Sequence, residues 1–288
     1  MTLDPTYRPT PEGQLLPVGD GLEIWTYEQG EGRPLVFVCG GGGGATSWVS
    51  FGHLLPLFPD RRVIFVDPLC FGRSTAVDLG GPFWTTEAKY VAVALEQLGV
   101  QDADFVGTSQ GSSIALAVAA ANPGVARSIV VTGAEPIQRG RGMRAPEFEG
   151  SSKCHDLYYG GEGPTPEKMR DLIMAPYEWY DRDRIGDGIL QMRYEASLLA
   201  YRDVFDGAAS LGTTDDLEER LRALTIPVLF LYGKYDPFVT YEYLVELLEI
   251  VPNSEIFLVD KARHHAYHER PETYGRAVRA FLDARDAA

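Results

Sequence analysis

Cysteine is scarce in this chain, with three among 288 residues. An odd, sparse set does not suggest a disulfide framework, and the mutual spacings match no zinc motif. Positive charge is also in deficit: 26 Lys and Arg against 41 Asp and Glu leave a formal charge of −15. That balance argues against nucleic acid or an anionic membrane as a partner and favours solubility. No apolar run approaches the length of a transmembrane helix. The first ten residues lack a basic start followed by an apolar stretch, so no signal peptide is expected and the cytoplasm is the expected compartment. Internal repeats and low-complexity tracts are absent, apart from one short glycine run. What remains is ordinary for a globular protein, 45% hydrophobic and 23% charged residues, and long enough for one α/β domain with an insertion.

Residues 103–111 carry the strongest motif. A short apolar strand runs into Gly107-Thr108-Ser109-Gln110-Gly111, and a small, Ala-rich stretch from Ser112 to Ala121 follows as a helix. Strand, Gly-x-Ser-x-Gly and helix form a nucleophile elbow, in which a turn this tight needs small neighbours and pushes Ser109 toward a cleft. The amide of Gln110 then lies at a helix N-terminus, where unsatisfied N–H groups can hold an oxyanion. A serine hydroxyl needs a base, and the base needs an orienting acid, in the chain order Ser, acid, His. Asp236 follows the apolar strand Pro227–Tyr232, in the loop Gly233-Lys-Tyr-Asp236-Pro237. The next strand, Glu255–Val259, leads to a loop carrying His264, His265 and His268. Glu135, after the strand Arg127–Val131, is a rival for the acid.

These motifs resemble those of the α/β-hydrolase superfamily over nearly the whole chain. Val36-Phe-Val-Cys39-Gly40-Gly41 stands in place of that family's strand ending in His-Gly. Asp67-Pro-Leu-Cys70-Phe-Gly72-Arg73-Ser74 is similar to its D-x-x-G-x-G-x-S loop, with Cys70 at the first glycine position. The resemblance implies a mostly parallel eight-stranded sheet flanked by helices, with a helical cap inserted after the sixth strand. Core residues are 1–133 and 213–288, and the cap is 134–212. Its His-x4-Glu-x-Pro register, matched by Glu269 and Pro271, selects His264 as base with His265 as runner-up.

Within the superfamily the chain is similar to the meta-cleavage-product hydrolases, which cleave a carbon–carbon bond in vinylogous diketo acids. Gly40–Ala45 through Trp48 looks like their oxyanion loop, and Ile189–Tyr194 like the cap helix bearing their substrate-binding Arg, here Arg193. The resemblance implies catalytic Ser109, Asp236 and His264, an oxyanion hole at Gly41 and Gln110, and substrate contacts at Arg193, Gly42, Trp48, Thr108 and His265. Three positions depart from it: Thr108 in place of Asn, Arg263 in place of Gly, and His265 in place of Trp. A carboxylic ester or lactone is therefore an alternative substrate. A noncatalytic ligand-binding homologue is an alternative of another class. Ser109 argues against dehalogenase or epoxide hydrolase chemistry, for which Asp is expected at the nucleophile.

No cofactor is expected. The glycine run lacks the Lys-Ser/Thr of a P-loop and the context of a dinucleotide fingerprint, and HHxxH matches no zinc spacing. The expected partner is a small molecule, with a homo-oligomer left open. Arg193, set among Ile189, Leu190 and Met192 on an expected helix, should pair with a carboxylate, either a substrate's or a cap residue's such as Glu195. The Arg139, Arg141 and Arg144 run reads as a solvated loop, His53 and His155 as ordinary residues, and most cap aromatics as packing.

Overall fold

A computed structural model describes residues 7–137, 145–213 and 215–287. The Arg139, Arg141 and Arg144 run lies outside the described residues. Eight strands form one sheet: β1 (Gln14–Gly19), β2 (Leu22–Gln29), β3 (Arg33–Val38), β4 (Arg61–Asp67), β5 (Ala103–Thr108), β6 (Ala126–Thr132), β7 (Val228–Gly233) and β8 (Ser254–Val259). Their order is β1-β2-β4-β3-β5-β6-β7-β8. The β1–β2 and β2–β4 pairs are antiparallel and the other five pairs are parallel. The central strands are apolar on both faces because helices cover both. Period-2 alternation sends Val36 and Val38 to one layer and Leu35 and Phe37 to the other.

The helices are α1 (Ser47–Phe51), α2 (Phe83–Gln97), α3 (Gln110–Ala121), α4 (Ala145–Tyr159), α5 (Pro166–Lys168), α6 (Asp187–Ala196), α7 (Tyr201–Phe205), α8 (Glu218–Arg222), α9 (Tyr241–Ile250), α10 (Ala266–Glu269) and α11 (Pro271–Asp286). Helices α2, α3, α8 and α9 cover one face of the sheet, α1 and α11 the other. Between β6 and β7 the described residues form a helical insertion, labelled the cap below, with α4 to α7 and a π-helical stretch at Met169–Glu178. The cap has its own cluster, in which Tyr158, Met169, Met174, Trp179 and Ile189 meet Val49 of α1. No described helix is long and apolar enough to cross a membrane.

The sequence predicts one helix over Trp48–Phe58 and another over Thr86–Leu98, capped by Thr85 or Thr86 and stopped by Gly99, and the structure corrects both. A single helix over Trp48–Phe58 is instead the short α1 followed by a 3-10 turn at Gly52–Leu57, because Pro56 removes an amide donor. Helix α2 begins at Phe83, not Thr86, and takes no cap from its own side chains. Asp215 caps it instead, accepting from the amides of Trp84 (3.2 Å) and Thr85 (2.8 Å). Helix α4 was not anticipated: Gly150 and the serines beside it interrupt any apolar period.

Candidate active site

Ser109 occupies the turn between β5 and α3 with φ 50° and ψ −124°, a conformation rarely adopted by a residue with a Cβ. The surroundings enforce it. The Ser109 amide donates to Thr132 O at 2.6 Å, and a Cβ on Gly107 would come within 2.5 Å of Ser112 Cα. On Gly111 a Cβ would lie 2.1 Å from Cys39 O, and on Gly40 it would lie 2.9 Å from Ser109 Cβ. The glycines of the elbow and of the loop after β3 are thus a packing requirement. The first-turn amide of Gln110 has no acceptor within α3, as at any helix start.

Asp236 lies three residues past the end of β7. Its Oδ1 accepts from the amides of Phe238 (2.9 Å) and Val239 (3.2 Å), which turns Oδ2 toward His264 Nδ1 at 2.8 Å. The Asp–His bond is buried. Burial disfavours the charged form of His264, but the charge and hydrogen bond of Asp236 outweigh it, so the imidazole pKa is raised above 6.5. Gly133, at φ +61°, makes room, because a Cβ there would lie 2.6 Å from His264 Cε1. Nothing in its sequence context marked it.

Ser109 and His264 line one cavity of about 550 Å³ between the sheet and the cap. Gly40, Gly41, Gly42, Thr108, Gln110, Arg193 and His265 line it too, so the structure brings these expected residues together. Trp48 is the exception and a correction. Its indole donates to Arg8 O at 3.2 Å and packs edge-on against Tyr27 and Phe65, while Ser50 faces the cavity. Trp48 and Ser50 are two positions apart, which on a helix is a rotation of about 200°, so α1 cannot send both to the same side.

Glu135 also lines the cavity, but Asp236 and not Glu135 holds His264. Burial and the charge of Asp236 push the Glu135 carboxyl up to about 8, so it is mostly neutral at pH 7. The partner of Arg193 is a cap glutamate, one of the two kinds expected, but not Glu195. It is Glu178, at 2.7 Å, while Glu195 bonds Tyr7 and Gln191 at the surface. Burial works against the Glu178 carboxylate, yet Arg193 and His265 bring its pKa down to about 2. His265 Nδ1 lies 3.1 Å from Glu178 Oε2, and burial takes its own pKa down to about 4, leaving it neutral. His264, His265 and His268 are engaged separately: His264 with Asp236, His265 beside Glu178, and His268 stacked on His53 and Trp179.

The sequence reading passes over Glu178 and takes His155 for an ordinary residue, whereas both line the cavity. Glu178 ends a π-helical stretch at Met169–Glu178, past the helical stretch that the sequence predicts near 166–175, and no local motif pairs it with Arg193. His155 sits on α4, donating from Nδ1 to Ser151 O at 2.9 Å, which leaves Nε2 to accept from the Gly43 amide at 3.3 Å. It ties the glycine loop to the cap. Among the described residues, five that line the cavity hold a buried polar atom with no hydrogen-bond partner: Thr108, Gln110, Ser113, Glu135 and Arg193. Such atoms are costly unless something polar occupies the space among them.

Comparison with known proteins finds relatives over nearly the whole chain. A 2-hydroxymuconate semialdehyde hydrolase of Pseudomonas sp. (strain CF600) is 28% identical over 290 residues, spanning 94% of each chain. A 2-hydroxy-6-oxo-2,4-heptadienoate hydrolase of Pseudomonas putida is 27% identical over 95% of this chain and 97% of that one. Among solved structures, a meta-cleavage product hydrolase from Pseudomonas fluorescens IP01 is similar with a TM-score of 0.76 at 20% identity, covering 94% and 98% of the two chains. An esterase from Thermogutta terrifontis reaches 0.72 at 20% identity, covering 95% and 99%. The fold is therefore shared by a meta-cleavage product hydrolase and an esterase alike. Residues 35–277 match the model of the alpha/beta hydrolase family, and the chain belongs to that family.

Proposed function

We propose that the chain is a serine-dependent hydrolase of small carbonyl compounds, with residues 134–212 as its cap, and that its reaction is carbon–carbon bond hydrolysis of a vinylogous diketo acid. The observation that carries this reading is that Ser109, on a strained elbow, and His264, held by Asp236, line one cavity. Ser109 Oγ is the nucleophile, His264 Nε2 takes its proton and later returns it to the leaving group, and Asp236 fixes the tautomer. The amides of Gly41 and Gln110 hold the oxyanion. No step calls for a metal or cofactor. The relatives named as a 2-hydroxymuconate semialdehyde hydrolase and a 2-hydroxy-6-oxo-2,4-heptadienoate hydrolase support the substrate class. The three cysteines are unpaired, which suits a cytoplasmic protein.

A second reading, a neutral ester or lactone as substrate, is favoured by one observation: Glu178 already neutralises Arg193. The test is a turnover comparison of a dienol keto acid with a short p-nitrophenyl ester, alongside fluorophosphonate labelling. Ser109→Ala is expected to abolish labelling and lower turnover by about three orders of magnitude or more. Labelling that survives in Ser109→Ala overturns the nucleophile assignment. Absence of any turnover by the native chain would favour a noncatalytic ligand-binding homologue.

A further inference from the structure

A second cavity, of about 620 Å³, lies on the opposite side of α1 from the serine site, between the start of α11 and the cap. Its apolar wall is made by Trp48, Val49, Trp179, Ile189 and Met192. That volume suits a small molecule. The charge at its edge is distinctive. Among the described residues, Arg8 and Arg184 are the two arginines whose guanidinium groups make no hydrogen bond or ion pair, and both line this cavity.

Arg8 is half-buried and clamped through its backbone, its amide donating to Met192 Sδ at 3.3 Å and its carbonyl accepting from Trp48 Nε1 at 3.2 Å. The clamp fixes the main chain and leaves the guanidinium unused. Arg270 adds a third cation at the same cavity, bonded only to Lys261 O. Two carboxylates oppose them. Glu269 is committed to the amides of Arg263, Tyr180 and Asp181, and Glu272 is exposed at the start of α11. His53 and His268 line the cavity too, and burial pushes both pKa values down, so both are neutral at pH 7. The local sum is one positive charge on a chain of −15. An anion recognised here must be recognised by these local donors, since the long-range field repels it. The aromatic wall and the free guanidinium groups together select a flat apolar body with an anionic head.

We propose that this second cavity binds a small aromatic carboxylate, its ring against Trp48, Trp179 and Met192 and its carboxylate on Arg8 and Arg184. The site is distinct from the one containing Ser109 and does not depend on the reaction assigned to it.

The experiment is calorimetric titration of 2-naphthoate into the full-length protein, with 2-naphthamide as the neutral probe of the same shape. Saturable 1:1 binding of the naphthoate is expected, with the amide at least about tenfold weaker for loss of charge-assisted bonds. The double variant Arg8→Gln, Arg184→Gln is expected to weaken naphthoate by about tenfold or more and to leave the amide unchanged. Val204→Trp, which crowds the serine cavity from α7, is expected to leave naphthoate binding intact. The proposal is overturned by lack of saturable binding, by equal affinity of acid and amide, or by an affinity within about twofold of native in the double arginine variant. Loss of binding in Val204→Trp would place the ligand beside Ser109 instead, and overturns it equally.

Discussion

At the scale of single residues, the two neighbouring histidines have opposite surroundings. His264 faces Asp236 and has a raised pKa, whereas His265 is held neutral by burial beside the Glu178–Arg193 pair. His264→Ala is expected to lose most turnover and His265→Ala far less, and assays of both variants check it. A base works only when unprotonated, so kcat/KM should rise with pH through a midpoint above 6.5. In Asp236→Asn the raising partner is gone and the tautomer is no longer fixed. Turnover should fall steeply, and the residual acid limb should move to lower pH. An unmoved limb would mean that another group is the base. Glu178 yields a second test at this scale. Replacing it by Gln frees the Arg193 cation, so an acidic substrate should gain at least about tenfold in kcat/KM while a neutral ester of similar size changes little. If both change together, the pair only packs the cap.

At the scale of elements, the core strands were legible and the ends of helices were not. Strands β3 to β7 are continuous apolar runs because helices cover both faces, and that signal is local in the chain. The start of α2 depends on Asp215, which lies far away in sequence, and no local pattern encodes a cap supplied from there. Asp215→Ala should cost about 1 kcal/mol, the usual value of a helix N-cap, measured by denaturant unfolding. A change within error would show that water satisfies the Trp84 and Thr85 amides equally well. Arg263, a departure from the family pattern, gains meaning only at this scale. It reaches Pro176 O at 2.6 Å and joins the histidine loop to the π-helical stretch that ends in Glu178.

At the scale of the whole molecule, the charge of −15 surrounds a cavity whose Arg193 is already paired. An anionic substrate is therefore repelled on approach, and salt screens that repulsion. For a dienol keto acid, kcat/KM should rise as ionic strength increases, while a neutral ester should be nearly flat. Rate measurements from low to physiological salt check this. A fall with salt for the acid would reveal a local cationic path that outweighs the net charge.

The sequence by itself determined the sheet, the elbow and the order of the acid and histidine loops. Those rest on patterns within a few residues: apolar runs, two glycines flanking Ser109, and Asp236 just past a strand. The tertiary structure alone decided which groups meet across the cavity. It chose Asp236 over Glu135 for His264, gave Arg193 to Glu178 and not Glu195, and turned Trp48 away to a second cavity. Each of these is a pairing between elements distant in sequence. Partner and direction there are set by how the cap packs on the sheet, and a helix's own apolar period tells which face is buried but not which distant element covers it.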